Sequence, residues 1–220
     1  MTTGYFCKRI AVILTAVYCF SACVYAGYLK RAEKIGEEKA FYFLTTNADS
    51  VEACILDVSK NGGAGFLTDC HIGDVALSVY FNMDDAELVC AANAQNYDGL
   101  KVCERVANAL YIKGFSRKKQ SKAIRADFEN AYLHILKINE ILTGLEKGET
   151  QESVKRTLGA LKQSFQILSK SAIKELRPFF EAGAEYAAEL EKEIVTASAL
   201  RYFLCTLSSD YVVAAENFSL

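Results

Sequence analysis

His71 stands in the run Asp69-Cys70-His71-Ile72-Gly73-Asp74, and an imidazole flanked by two carboxylates invites a metal ion. The wider sequence does not complete such a site. Only one other histidine exists, His134, and no cysteine or histidine lies at zinc spacing from His71. Asn61-Gly62-Gly63-Ala64-Gly65 is glycine-rich, but a phosphate loop needs a following Lys-Ser/Thr, so this segment is read as a plain turn. No G-x-S-x-G, H-E-x-x-H or G-x-G-x-x-G pattern occurs. Asp84 and Asp85 suit the start of a helix, where carboxylates meet the positive end of the dipole. Arg117, Lys118, Lys119 and Lys122 are read as a solvated helix start, with contact to acidic wall polymers or lipid headgroups as the alternative. These residues imply a chain that is not an enzyme and uses no metal or cofactor.

Composition narrows the partners. The formal net charge is −2 over 220 residues, which leaves no cationic surplus to displace counterions from nucleic acid. About half of the residues are apolar, enough for a packed core. Of the eight cysteines, Cys54, Cys70, Cys90, Cys103 and Cys205 fall in the globular part. Their spacing assigns no disulfide, their odd number leaves at least one thiol unpaired, and most are read as small buried apolar residues.

The segment from Ile10 to Leu29 contains no charge and has about the length a helix needs to cross a bilayer. Lys8 and Arg9 precede it, and Lys30 and Arg31 follow it. The favoured reading is a retained single-pass anchor in the cell membrane, with residues 1–9 as a short inner tail and the bulk exported. Val24-Tyr25-Ala26 leaves a cleaved signal peptide open, Phe20-Ser21-Ala22-Cys23 loosely resembles a lipoprotein box, and a buried core helix is the bland alternative.

Behind a charged linker at residues 30–39, the elements read β-α-β-β-α-β over residues 40–108. Phe41 to Thr45 is the first strand, and Asp49 or Ser50 starts a helix with Val51, Cys54, Ile55 and Val58 on one face. Ala64 to Cys70 is the second strand, and Val75 to Phe81 alternates as the third. Asn82 or Asp84 starts a helix with Ala86, Val89 and Cys90 on its apolar face, and Leu100 to Val106 is the fourth strand. This order is that of a ferredoxin-like module with both helices on one sheet face. Phe41, Phe43, Leu77, Val79 and Phe81 are expected under the helices. Tyr42, Leu44, Ser78 and Tyr80 are expected on an open face that serves as a ligand platform, unless another part of the chain covers it.

Residues 116–220 are predicted to be helical. Ile124, Ala131, Ile138 and Leu145 recur every seven residues, interleaved with Phe128, Ile135 and Leu142. Thr150 caps a second helix carrying Leu158, Leu161, Phe165, Leu168 and Ala172; Arg177-Pro178 interrupts; a third runs from Phe179 through Ala187, Leu190, Ile194, Ala197 and Leu204. A three-helix antiparallel bundle or a hairpin is expected, closing on itself in preference to another chain. The fold class is thus α+β: a transmembrane helix, a small sheet module and a helical domain.

The aromatic strand FYFLTT, the helix DSVEACILDVSKNGG, the strands GAGFL and VALSVYF and the helix MDDAELVCAANAQ resemble a SPOR domain, the peptidoglycan-binding module of cell-division and sporulation proteins. Val51-Glu52-Ala53 and Asp85-Ala86-Glu87 match the family's paired helix starts, although the frequent Gln of its first strand and its Gly-x-Phe are missing. The resemblance implies a non-catalytic envelope protein that binds glycan strands on the sheet face. The alternative is a membrane-anchored scaffold or assembly factor whose helices bind a protein partner.

Overall fold

The computed structural model describes residues 32–97, 99–113 and 118–219. Strand β2 (Lys39–Thr46) is the centre of a four-stranded antiparallel sheet of order β3-β4-β2-β5, with β3 at Phe66–Leu67, β4 at Val75–Tyr80 and β5 at Lys101–Ala107. Helix α1 (Val51–Lys60) links β2 to β3, and α2 (Met83–Asn93) links β4 to β5. Ser50 Oγ accepts from the Ala53 amide at 3.3 Å and fixes the start of α1; Asn82 Oδ1 accepts from the Asp84 amide at 2.9 Å and does so for α2. Asp84 and Asp85 lie in the first turn of α2. Gly62, at φ 85°, turns the chain out of α1 in a conformation few other residues adopt.

The second strand is shorter than the sequence predicts. The Thr68 amide donates to the Asp74 carbonyl at 3.0 Å, which closes a loop after two strand residues. A disulfide from Cys70 to Cys103 and an ion pair from Asp69 to Arg105 tie this loop to β5. Two further strands lie where the sequence predicts linker and spacer. β1 (Ala32–Gly36) pairs antiparallel with β6 (Leu110–Lys113), and Ile35 and Leu110 are buried between this ribbon and the helices.

The helical part has four long helices: α3 (Lys118–Glu146), α4 (Gln151–Ser171), α5 (Arg177–Leu190) and α6 (Ala197–Ser219). The seven-residue stripe of α3 is internal: Ile124, Phe128, Ala131, Ile135, Ile138 and Leu142 are all buried. Helices α4 and α5 form a tight hairpin, and Gly183 makes it possible, because a Cβ there would sit 2.5 Å from the Phe165 ring. The third predicted helix is broken. The chain leaves α5 at Glu191, exposes Ile194, and restarts where Thr196 Oγ1 accepts from the Ala199 amide at 3.1 Å.

That break sends α6 across the sheet face that carries Phe41, Phe43 and Val79, the face expected to lie under α1 and α2. Helix α6 packs on β4, β5 and β6 as well as on α3 and α5. Phe41 meets the rings of Tyr211 and Tyr132 at 5.7 and 6.2 Å, and Phe66 meets Tyr202 at 5.6 Å. Phe41, Phe43, Val79, Leu204 and Ile135 belong to one apolar core, so residues 40–108 and 118–219 do not pack as separate bodies. The architecture is three layers: α1 with α2, the sheet, and α6 with the remaining helices.

The membrane expectation is corrected. Among the described residues no helix is long and apolar enough to cross a membrane. The long helices each carry charged residues; α6, for example, contains Arg201, Asp210 and Glu216. The segment 10–29, on which the single-pass topology and the membrane localisation rested, lies outside the described residues.

Candidate functional site

One sheet face is sealed by α6, and a cleft lies on the other. Helix α1 leans on β4, and α2 leans on β2, β4 and β5; each packs on the sheet more than on the other helix. The gap between them has Leu44, Leu77, Ser78 and Tyr80 as its floor, with Val89 and Asn93 of α2 on one side and Asn61 and Gly62 at the end of α1 on the other. This part has a volume of about 150 Å³. A second, wider hollow of about 670 Å³ lies between α1 and the loops at residues 46–49 and 96–97, beside Asn47, Asp49, Asp57 and Asn96. Tyr97 lines both hollows.

The end of α1 is held in place from the sealed side. Ser198 Oγ of α6 donates to the Gly63 carbonyl at 2.6 Å, and Arg201 donates to the Gly62 carbonyl while pairing with Glu146 of α3. Arg201 thereby joins three elements at the rim of the cleft. Asn61 Nδ2 donates to the Asp57 carbonyl at 3.0 Å, and Asn93 Nδ2 to the Val89 carbonyl at 2.9 Å, which fixes how both amides are presented.

The electrostatics favour neutral polar groups. Burial raises the Tyr80 phenol above its ordinary range, and a hydrogen bond with Ser78 only partly offsets this. Burial also raises Tyr97, followed by the charge of Asp57. Both phenols therefore stay protonated donors at neutral pH. Cys54, at the edge of the wider part, is raised by burial first and then by Asp57 and Asp74, so it remains a thiol and a poor nucleophile. Phenols, hydroxyls and amides over an apolar floor can hold a flat polar ligand by stacking and hydrogen bonding.

The residues singled out in the sequence are dispersed. Leu44, Ser78 and Tyr80 lie on the face that α1 and α2 cover, not on an open one, with Leu44 and Ser78 buried in the cleft floor. Tyr42 shares their face and pairs across the sheet with Tyr80 and Glu104, outside the cleft lining. Phe41, Phe43 and Val79 face α6 instead of α1 and α2, so the two faces are exchanged relative to the expectation. Leu77 stays beneath α1 because β2 and β4 slip register between Leu44 and Thr45, which lets it turn to the other side from Val79. Asn61, Asn93, Tyr97 and Arg201 were not singled out for binding; none carries a spacing signal, and Arg201 reaches the rim only through the fold.

His71 is exposed, and its two acidic neighbours are engaged elsewhere: Asp69 with Arg105, and buried Asp74 with Lys101 at 2.9 Å and the Thr45 hydroxyl at 3.4 Å. Among the described residues no group of three His, Cys, Asp or Glu side chains is placed to hold a metal. In the basic cluster Arg117 lies outside the described residues, and Lys122 is exposed on α3.

His134 has a structural place. Its ring nitrogens meet the Asn130 carbonyl at 2.7 Å and the Ser164 hydroxyl at 2.8 Å, and its ring lies 4.7 Å from that of Phe165. Burial holds its pKa below the ordinary histidine range, with the Asn130 hydrogen bond opposing. The unfolded chain therefore binds a proton at this position at higher pH than the folded chain does. This contribution to stability is complete above the unfolded value of about 6.5 and is lost as pH falls below it. Urea midpoints on either side of about pH 6.5 should fall more on acidification in the wild type than in His134→Gln. An equal fall in both chains would remove His134 as the cause.

Comparison with protein-family models, with curated proteins and with solved structures finds no match.

Proposed function

We propose that this chain is a non-catalytic binding protein whose ligand occupies the cleft between α1 and α2. The observation that carries the reading is the hollow floored by Leu44, Leu77, Ser78 and Tyr80 and rimmed by Asn61, Asn93, Tyr97 and Arg201, with a wider hollow that shares Tyr97. The resemblance to SPOR modules gives the ligand class, glycan strands of the peptidoglycan type, and sugar rings suit a site of aromatic faces and neutral hydrogen-bonding groups. Leu44, Ser78 and Tyr80 keep their expected place at the site, but they lie beneath α1 and α2 and not on an open face, and α6 fills the opposite face. A scaffold role for the helical part has less to rest on, because the stripe that would have met a partner is buried within the chain.

Co-sedimentation of the intact chain with purified cell-wall sacculi tests the proposal. Wild type should pellet with the sacculi. Tyr97→Ala should lose most of this binding, on the order of tenfold or more, while melting near the wild-type temperature, since Tyr97 is only half-buried. Binding unaffected by Tyr97→Ala, or no binding by the wild type, would remove glycan in the cleft.

A further inference from the structure

A separate pocket of about 300 Å³ lies where β1 and β6 meet α3 and α6, and it shares no lining residue with the cleft. Its walls include Leu110, Phe128, Tyr132 and Tyr211, and the aromatic members are fixed against each other: Phe128 meets Tyr211 at 5.8 Å and Tyr132 meets Tyr211 at 6.0 Å. Such a volume stands at the lower end of the range for small-molecule sites.

Two cations stand on this apolar lining. The Lys39 ammonium lies 4.5 Å above the centre of the Tyr132 ring. Arg125 is oriented by its Nε, which donates to the Ile35 carbonyl at 2.7 Å. Among the described residues neither cation has a carboxylate within ion-pair distance. Two acids also line the pocket. Glu37 pairs with Lys34 at 2.5 Å and also feels the charges of Lys39 and Arg125, and Glu129 is exposed, so two carboxylates stand against the two cations of the lining and neither is in an ion pair with them.

We infer that this pocket binds a small amphiphilic carboxylate, a short acyl chain or a single aromatic ring, with its head on Arg125 and Lys39 and its body against Phe128, Tyr132 and Tyr211. A planar guanidinium held from behind by a carbonyl is suited to a two-point grip on a carboxylate. At the head position a cationic amphiphile of the same shape meets the like charges of Arg125 and Lys39, and a neutral one gains only the apolar contact. This site and the cleft ligand are independent of each other.

Isothermal titration of the intact protein tests the inference with octanoate, phenylacetate, octanol and octylamine as probes. One carboxylate should bind with one-to-one stoichiometry, and octylamine should bind at least about tenfold more weakly. Arg125→Gln and Lys39→Gln change partly or largely exposed side chains, and unchanged melting would show both folded. Each should weaken carboxylate binding by about tenfold, with Tyr97→Ala leaving it unchanged. Failure of both carboxylates to bind would overturn the assignment. So would octylamine binding as tightly, or affinities within about twofold of wild type in both charge variants.

Discussion

A Phe43→Ala chain is expected to lose about 3–5 kcal/mol of stability, and to lose it in the helices as well as in the sheet. Phe43 is 1% exposed and belongs to the same core as Val79 of β4, Leu204 of α6 and Ile135 of α3. The cavity would open at the junction of two layers, where neither can close it alone. Helical circular dichroism and tyrosine fluorescence should therefore report one shared urea transition, shifted to lower denaturant. Leu133→Ala on the exposed side of α3 should change stability by no more than about 0.5 kcal/mol and serves as the control. If the helical signal kept its wild-type midpoint while the sheet unfolded, residues 118–219 would be an autonomous body and the shared core would be wrong.

Removing the Cys70–Cys103 bond by paired alanine substitution is expected to cost about 3–4 kcal/mol, from the entropy returned to an unfolded chain whose loop spans a separation of 33 residues. The native loop would keep its ion pair from Asp69 to Arg105, its pair from Asp74 to Lys101 and the Thr68 to Asp74 hydrogen bond. The loss should therefore arise mainly in the unfolded state. Urea unfolding separates the two origins: a more expanded unfolded chain raises the m-value as well as lowering the midpoint. A loss below about 1 kcal/mol with an unchanged m-value would mean that other contacts already restrain the loop when the bond is absent.

Local signals carried well from sequence to structure, and signals that depend on distant partners did not. Ser50, Asn82 and Thr150 cap helices because their short polar side chains reach the first free amides, and such positions are readable from neighbouring residues alone. The apolar stripe from Ile124 to Leu142 is likewise a property of one helix. Which face of the sheet meets which helices is not local. Phe41 and Phe43 alternate with Tyr42 and Leu44, and both sets are apolar enough to be covered, so alternation alone cannot say what covers each. Strands β1 and β6 were missed for a related reason: AEKIG reads as charged linker until Ile35 finds Leu110 across the ribbon. The disulfide was out of reach because two cysteines far apart in the chain carry no spacing signal. Tyr97 and Arg201 were not marked as site residues because they come from a turn and a distant helix that meet only in the folded chain.

The central claim is that ligand enters between α1 and α2 while the opposite sheet face is closed by α6. Amide chemical-shift mapping of the intact, isotope-labelled protein with soluble peptidoglycan glycan fragments tests it directly. Shifts are expected at Asn61, Gly62, Ser78, Tyr80, Asn93 and Tyr97, which line the cleft, and not at Phe43, Tyr202 or Tyr211 on the sealed side. Shifts concentrated at Phe43, Tyr202 and Tyr211, or none at saturating glycan, would contradict it.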